Sequence, residues 1–279
     1  MIKEISVVGY GTMGKGIAQL VASKGYKVHI VGYDIKKVKE ALMTIDKNLN
    51  LLVEKKKISL GEKNKTINNI HPCLGKESCK RSQLIIEAIP EDLRLKKRTF
   101  RELDSANKEG IIASNTSSLS INELANTCKN KKRIIGMHFF NPVYILPLVE
   151  IIKTKYTDNE TIKEALDFLD KIDKKPVVVK DSPGFIVNRL LIPMINESIW
   201  LLHNKIAVKD DIDKAMKLGA NHPMGPLELA DFIGLDIVFD IMKSLNKNLG
   251  GKYRPCPLLR WMIKRNKLGR KTKEGFYKY

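Results

Sequence analysis

A glycine-rich turn near the start of the chain constrains its fold more than any other feature. The apolar residues 5–8 predict a buried strand, and residues 12–24 have the spacing of a helix. Between them lies Gly-Tyr-Gly-Thr-Met-Gly, whose glycines permit a tight turn, close approach of a pyrophosphate, and close packing of helix on strand. We therefore predict a dinucleotide site here, the alternative being a glycine-rich turn in an unrelated α/β protein. Its residues are Gly9, Gly11, Thr12, Met13 and Gly14.

An acidic residue follows the second predicted strand, residues 28–31. Asp34 lies 20 residues beyond Gly14. A carboxylate in that position can accept a hydrogen bond from the ribose 2′-hydroxyl of NAD and repel the 2′-phosphate of NADP. The predicted cofactor is therefore NAD, with NADP kept as the alternative.

Strands and helices alternate through the first part of the chain, and helices follow. Further strands are predicted at 84–89, 111–114, 133–139, 148–152 and 177–180, and helices at 36–57, 93–106, 121–127 and 160–172. This alternation predicts βαβ units and a largely parallel sheet. Beyond a Pro- and Gly-containing break at 181–184, helical patterns occupy 185–202, 210–218 and 227–242. We predict an α/β Rossmann-type domain over residues 1–181 and an all-α domain over residues 182–279.

Positive charge is in large excess. Lysine and arginine total 50 against 31 acidic residues, a net charge of +19, and residues 252–279 carry ten basic residues against one acid. Such a surplus favours an anionic partner, whether nucleic acid, anionic lipid or a phosphorylated small molecule. A lysine-rich solvated surface is the simpler explanation. The basic tail with its interleaved aromatic residues keeps nucleic-acid binding as a rival hypothesis, although the tail is short and partly apolar.

The sequence does not support a membrane, disulfide-rich or zinc-binding protein. No stretch approaches the ~20 uninterrupted apolar residues of a membrane span, and the first four residues lead into a strand without room for a signal peptide. The four cysteines, at positions 73, 79, 128 and 256, lack CxxC spacing. We expect a cytoplasmic protein that binds no metal and no nucleic acid and does not enter a membrane.

Five sequence blocks occur in an order and spacing far more specific than any one of them. They are Gly-Tyr-Gly-Thr-Met-Gly-Lys-Gly-Ile-Ala-Gln from position 9, Ala-Ser-Asn-Thr-Ser-Ser-Leu-Ser from 113, Gly-Met-His-Phe-Phe-Asn-Pro from 136 with Leu-Val-Glu from 148, Pro-Gly-Phe-Ile-Val-Asn-Arg from 183, and Asn-His-Pro-Met-Gly-Pro-Leu-Glu from 221. In these blocks the chain resembles, from end to end, the short-chain 3-hydroxyacyl-CoA dehydrogenases, specifically the bacterial 3-hydroxybutyryl-CoA dehydrogenases.

The resemblance implies both an activity and an assembly. The implied activity is that of an oxidoreductase interconverting acetoacetyl-CoA and (S)-3-hydroxybutyryl-CoA with NAD(H), in short-chain fatty acid and butyrate metabolism. The implied partner is the CoA thioester substrate. The implied assembly is a homodimer formed through the C-terminal domain, which also closes the cleft.

The resemblance assigns acid–base catalysis to His138 and Glu150. A neutral imidazole can take the hydroxyl proton as hydride leaves carbon, and return it in the reverse reaction. A carboxylate on its other nitrogen fixes the tautomer and stabilises the imidazolium. Taken alone, His138 would be a core histidine held by a backbone carbonyl, and Glu150 a charge at a sheet edge. The apolar neighbours of Glu150 nevertheless make an unpaired acid there costly.

Polar site residues follow from the same match. Ser117 is expected to hydrogen-bond the reacting oxygen, Asn188 to hold the thioester side, and Asn115 to line the junction of substrate and nicotinamide. Asn141 is a further predicted substrate residue. By itself the serine-rich segment would be a turn leading into a helix cap.

Two groups of charged residues are assigned in the same way. Glu91 and Lys96 match family residues near the nicotinamide ribose and amide of the cofactor. Without the match they would be surface charges at the start of a helix. Lys55, Lys56 and Lys57 match the region that holds the adenosine phosphates of coenzyme A. A solvated helix end that favours cations is the alternative for these lysines.

Departures from the family pattern bear on specificity. Gly32 and Tyr33 place Asp34 two residues later than usual, so a bulge at the strand end would move it away from the ribose. Residues 143–147 read Val-Tyr-Ile-Leu-Pro where the family commonly has Ala-Pro and then Met, and Lys273 stands where a glycine is common. The rival enzyme is a β-hydroxyacid dehydrogenase acting on a free acid through a catalytic lysine. A non-catalytic NAD-binding protein is the other rival.

Overall fold

The computed structural model describes residues 2–279, so Met1, the first residue of the predicted Rossmann-type domain, lies outside the described residues. The chain divides between Asp181 and Ser182 into two compact units. The first contains a sheet with helices, and the second is helical. The predicted fold class, an α/β Rossmann-type domain followed by an all-α domain, is confirmed.

The described part of the first unit forms an eight-stranded sheet. Its strands are β1 (Glu4–Val8), β2 (Lys27–Gly32), β3 (Ile70–Leu74), β4 (Leu84–Glu87), β5 (Ile111–Ser114), β6 (Ile134–Phe139), β7 (Leu148–Lys153) and β8 (Lys175–Lys180). They lie in the order β3-β2-β1-β4-β5-β6-β7-β8. The first six strands of this order run parallel, β7 is antiparallel to β6, and β8 is parallel to β7. The sheet is therefore largely parallel, with two reversed strands on one side.

Apolar sequence places the central strands in the interior. Every residue of β4, β5 and β6 is buried. A parallel strand covered on both faces reads as a nearly continuous apolar run, and each buried Ile or Val contributes roughly 1.5–3 kcal/mol of transfer free energy. The six parallel strands all end at one edge of the sheet, which we call the carboxyl edge. Ligands of open α/β sheets bind at that edge.

Helices of the first unit connect these strands. They are α1 (Thr12–Ser23), α2 (Ile35–Glu54), α3 (Leu60–Asn68), α4 (Leu93–Ala106), α5 (Ile121–Ala125) and α6 (Asn159–Lys171). The sequence did not predict α3 or β3. Pro72 in β3 hides the strand pattern, and proline is tolerated there because β3 lies at the outer edge of the sheet. For α3 a signal was present, since Ser59 and Glu62 form a capping box at its start.

The second unit has its own apolar core among residues 182–279. Its helices are α7 (Val187–His203), α8 (Lys209–Gly219), α9 (Pro226–Ile233), α10 (Leu235–Leu249) and α11 (Pro257–Lys264). The single helix predicted over 227–242 is wrong, because Gly234 at φ 105° ends α9 and begins α10. The helix predicted to be apolar on nearly all sides, α7, buries Ile195 and Ile199 but leaves Leu190 71% exposed. Among residues 2–279, no helix combines the length and apolarity that a membrane span requires.

Candidate active site

The glycine-rich turn lies at the carboxyl edge, between β1 and α1. Gly9 has φ +120°, and a Cβ on it would lie 2.4 Å from the Ala88 carbonyl oxygen. A Cβ on Gly14 would lie 2.2 Å from the Gly9 oxygen, so strand and helix meet too closely for any side chain. Gly11 is the N-cap of α1, and a Cβ there would meet no atom of the described residues within 4 Å, apart from its own chain neighbours. The turn thus leaves an open approach to the start of α1, which fits the pyrophosphate of a dinucleotide.

Asp34 stands just beyond β2 at the same edge. Strand β2 remains in regular register with β3 as far as the Gly32–Leu74 pair, so the bulge considered for the strand end does not form. Asp34 is exposed and caps α2, its Oδ1 accepting hydrogen bonds from Lys36 N at 2.9 Å and Lys37 N at 3.3 Å. The carboxylate is therefore fixed in direction by the helix that it caps.

His138 and Glu150 lie directly opposite each other on the antiparallel strands β6 and β7. Their Nδ1 and Oε2 atoms are 2.7 Å apart, and the two residues are 6% and 0% exposed. The His138 ring also packs against Phe140, with ring centroids 4.4 Å apart. The interpretations of His138 as a histidine satisfied by a backbone carbonyl, and of Glu150 as a sheet-edge charge, are therefore wrong. A buried imidazole held by a carboxylate at Nδ1 can exchange a proton through Nε2.

Asn115 connects the turn after β5 to the end of β6. Its Oδ1 accepts a hydrogen bond from Phe139 N at 2.9 Å, and its own N–H donates to Glu87 O at 2.8 Å. Asn115 is thereby fixed one residue away from His138 at the carboxyl edge. Asn141 lies just after the end of β6 and is exposed. The peptide bond between Asn141 and Pro142 is cis.

Glu91 binds the turn that carries Ser117. Its Oε1 accepts hydrogen bonds from Ser117 N and Ser118 N, both at 3.1 Å, from the Ser118 hydroxyl at 2.9 Å, and from the Thr116 hydroxyl. Partial burial opposes ionisation of Glu91, but the Lys96 charge and these hydrogen bonds outweigh it and hold its pKa below the usual range. An ionised Glu91 therefore organises the serine-rich turn.

Lys96 is not a surface charge, and that alternative is wrong. It lies on α4, is 1% exposed, and its Nζ donates to Glu87 Oε1 at 2.6 Å and to the Ile89 carbonyl at 3.2 Å. Its Nζ is 3.4 Å from Glu91 Oε2, which is an ion-pair distance. The remaining Glu87 oxygen accepts from the Ser114 hydroxyl at 2.7 Å. Lys96 thus joins the end of β4 to the turn after β5.

Sequence reasoning did not single out Glu87, although a signal existed. Glu87 is 0% exposed and ends the apolar strand β4. An acid among apolar neighbours needs a partner, and this holds for Glu87 as it does for Glu150.

Lys174 was also missed. It is 3% exposed, and its Nζ donates to the carbonyls of Val143 and, at 2.8 Å, Leu146. Burial, aided by the nearby Lys24 charge, lowers the pKa of Lys174. Lys174 therefore holds the loop of residues 143–147 after His138, where this chain departs from the family pattern. No local signal distinguishes Lys174 from its exposed neighbour Lys175.

The remaining predicted site residues are three lysines and Asn188. Lys55, Lys56 and Lys57 are exposed residues directly after α2, which ends at Glu54 rather than at residue 57. Asn188 belongs to the second compact unit, near the start of α7, and is 9% exposed.

Comparisons with known proteins agree with one another over the whole chain. Residues 4–182 match the family model described as "3-hydroxyacyl-CoA dehydrogenase, NAD binding domain", and residues 184–279 match "3-hydroxyacyl-CoA dehydrogenase, C-terminal domain". A 3-hydroxybutyryl-CoA dehydrogenase of Clostridioides difficile is 47% identical over 278 residues, covering 99% of this chain and 99% of that protein. The human mitochondrial hydroxyacyl-coenzyme A dehydrogenase is 41% identical over 288 residues, covering 100% and 92%. The crystal structure of the (S)-3-hydroxybutyryl-CoA dehydrogenase from Ralstonia eutropha gives a TM-score of 0.96 at 40% identity, covering 100% and 99%.

The buried pair of Lys96 with Glu87 yields a stability prediction. Lys96→Met leaves the Glu87 carboxylate in the interior without its counter-charge, which costs about 3–5 kcal/mol. Lys97→Met is the matched control, because Lys97 pairs with Glu123 where both side chains are partly exposed and the cost is under about 1 kcal/mol. Urea unfolding of the two variants measures the difference. Equal losses would show that Glu87 does not depend on Lys96.

Proposed function

The chain belongs to the 3-hydroxyacyl-CoA dehydrogenase family of NAD-dependent oxidoreductases, and on that basis we propose that it interconverts acetoacetyl-CoA and (S)-3-hydroxybutyryl-CoA. One observation carries the proposal. His138 and Glu150 form a buried pair, 2.7 Å apart, near the carboxyl edge where the glycine-rich turn opens. A pair of this kind suits the removal of a proton from a secondary alcohol.

The chain's own residues manage the proton and the position of the substrate. Held at the glycine-rich turn of Gly9, Gly11 and Gly14, the nicotinamide cofactor would supply the hydride chemistry of the reaction. His138 takes the hydroxyl proton at Nε2, while Glu150 holds Nδ1 and stabilises the charge that develops on the ring. Ser117 donates a hydrogen bond to the reacting oxygen, on a turn that Glu91 keeps in place. Asn188 holds the thioester side, Asn141 is a further substrate-binding residue, and no covalent bond to the enzyme is required.

The proposed function also implies a form of the substrate, a location and an assembly. The substrate reacts as a coenzyme A thioester within short-chain fatty acid and butyrate metabolism. In residues 2–279 all four cysteines are free thiols, which supports a reducing cytoplasm. The second unit exposes Leu190, Leu218 and Ile206 by 71%, 77% and 69%, which supports a dimer surface there.

Steady-state kinetics test the proposed function directly. We expect NADH-dependent reduction of acetoacetyl-CoA, and much slower reduction of free acetoacetate. A preference for the free acid would favour the β-hydroxyacid dehydrogenase alternative. NADH binding without turnover of either substrate would favour a non-catalytic NAD-binding protein.

If His138 and Glu150 act as a dyad, the kcat losses caused by mutating each of them should not add. His138→Asn should lower kcat by roughly 10² to 10⁴ without changing the Kd of NADH, because only proton transfer is lost. Glu150→Gln should lose a similar amount, and the double variant little more, since the two side chains act as a unit.

A second histidine–glutamate pair provides the control for these variants. His29 Nε2 and Glu4 Oε1 are also 2.7 Å apart, on β2 and β1. His29→Asn should leave kcat near the wild-type value. Full additivity of the His138 and Glu150 losses would contradict a dyad.

Asp34 predicts the preference for NAD over NADP. Asp34→Asn keeps an oxygen to cap α2 but removes the charge that repels a 2′-phosphate, so the ratio of kcat/KM for NADH to that for NADPH should narrow. Asp158, which caps α6 by accepting from Thr161 N, is the matched control, and Asp158→Asn should leave this ratio unchanged. A wild-type preference for NADPH would mean that Asp34 does not reach the ribose.

Lys55, Lys56 and Lys57 are proposed to hold the coenzyme A phosphates. Replacing all three with Gln should raise the KM for acetoacetyl-CoA and leave kcat nearly unchanged, because contacts far from the reacting carbonyl bind ground and transition states alike. At under about 1 kcal/mol per exposed contact, the combined effect is roughly 10- to 100-fold at low salt and smaller at high salt.

Two controls separate a phosphate contact from a general charge effect. Acetoacetyl-N-acetylcysteamine lacks the phosphates, so its KM should not respond to the triple substitution. The same substitution at the exposed Lys129 and Lys132 and the half-buried Lys131 should leave the KM for acetoacetyl-CoA unchanged. If the triple variant keeps the wild-type KM for acetoacetyl-CoA at low salt, these lysines do not bind the phosphates and are only solvated surface residues.

A further inference from the structure

Two residues, Gly32 and Tyr33, separate this chain from its family's usual spacing. Gly32 is the last residue of β2, and Tyr33 lies just beyond the strand. Gly32 pairs with Leu74 in unbroken parallel register, so the strand stays regular to its end. A Cβ on Gly32 would lie 2.7 Å from both the Tyr10 ring and Val38. Glycine at this position therefore lets β2 pass close to the Tyr10 side chain. Tyr33 follows at the carboxyl edge.

The Tyr33 side chain is largely exposed, and Lys76 lies near one side of its ring. It is 65% exposed, the highest value among the eight tyrosines of the chain. Gly75 N donates to Gly32 O at 3.0 Å, which brings the start of the next segment beside it. Lys76 Nζ lies 5.5 Å from the Tyr33 ring centroid and also pairs with Glu102. The ammonium group occupies one side of the ring, and the rest of the ring surface is largely in solvent.

Lys76 keeps its positive charge because its pKa is raised. Partial burial favours loss of its proton, but the interactions of Lys76 with Glu102 and with Tyr33 outweigh the burial and raise the pKa of Lys76. Lys76 thus remains a cation that orients the Tyr33 ring. An aromatic ring held in this way offers a preformed surface to a second flat ring.

We propose that Tyr33 is a cofactor-binding residue of this chain and stacks on the adenine ring of NAD. In folds of this kind the acid after the second strand binds the adenosine ribose, and Tyr33 directly precedes Asp34. Adenine is joined to that ribose, so it lies within reach of the exposed ring. Stacking on an aromatic side chain suits adenine because the whole face of the base takes part. This inference rests on the NAD site of the proposed function.

Equilibrium binding of cofactor fragments tests the proposal. Calorimetry gives the Kd of ADP-ribose and of reduced nicotinamide mononucleotide, and fluorescence gives the Kd of NADH. Tyr33→Ala should weaken ADP-ribose and NADH about 10-fold each, while Tyr33→Phe keeps the ring and stays within about twofold of wild type. Reduced nicotinamide mononucleotide, which lacks adenine, should bind every variant equally.

Tyr156 is the matched control. Its ring lies near Lys131 and Lys155, whose Nζ atoms are 4.8 Å and 5.0 Å from the ring centroid. Tyr156 follows the reversed strand β7 and so lies at the opposite edge of the sheet. Tyr156→Ala should leave all three Kd values unchanged.

The outcomes separate the stacking proposal from the proposed function. If the wild type binds NADH and Tyr33→Ala binds ADP-ribose as the wild type does, the stacking proposal is overturned. Equal weakening of reduced nicotinamide mononucleotide by Tyr33→Ala also overturns it, because the loss would not be specific to adenine. If the wild type binds neither NADH nor ADP-ribose, the proposed function fails first.

Discussion

Glu87 ends an apolar strand where solvent does not reach, and the pairing of its carboxylate organises the carboxyl edge of the sheet. An isolated buried charge is too costly to keep, so Lys96 is drawn into the interior beside it, at 2.6 Å. Lys96 in turn is 3.4 Å from Glu91, and Glu91 accepts the hydrogen bonds of the serine-rich turn. Three consecutive segments, the ends of β4 and β5 and the start of α4, are thereby fixed relative to one another. The turn that carries the proposed substrate-binding serine therefore depends on this series of paired charges.

Much of this fold could be predicted from the sequence because the deciding interactions are local. The apolar runs of β1, β4 and β5 and the glycine-rich turn carry their signals within a few residues. The missed strand β3 contains His71 and Pro72, and only its place at the outer edge of the sheet makes that composition acceptable. The helix predicted over 227–242 contains a single interrupting glycine, and periodicity alone does not reveal that Gly234 takes a left-handed φ of 105°.

The candidate site was predictable only where a resemblance supplied what local pattern lacks. The pairing of His138 with Glu150 spans β6 and β7, and their spacing of twelve residues identifies a pair only once an antiparallel hairpin is known. Lys96 and Lys174 resemble surface residues because their neighbours Lys97 and Lys175 are charged as well. Their burial is decided by distant partners, Glu87 for the one and the carbonyls of Val143 and Leu146 for the other. Such long-range pairings have no local signature.

Distance alone does not make a histidine–glutamate pair catalytic, and this chain contains the comparison. His29 with Glu4 and His138 with Glu150 are both held at 2.7 Å. The Glu4 side chain is 23% exposed and also pairs with Lys27, whereas the Glu150 side chain is 1% exposed. In a water-excluded setting the attraction between a carboxylate and a developing imidazolium is stronger. His138 also stands near the carboxyl end of β6, on the edge where the dinucleotide turn opens, while His29 lies within β2. Burial of the carboxylate and its position on the sheet, rather than the hydrogen bond, therefore distinguish the proposed catalytic pair from the structural one.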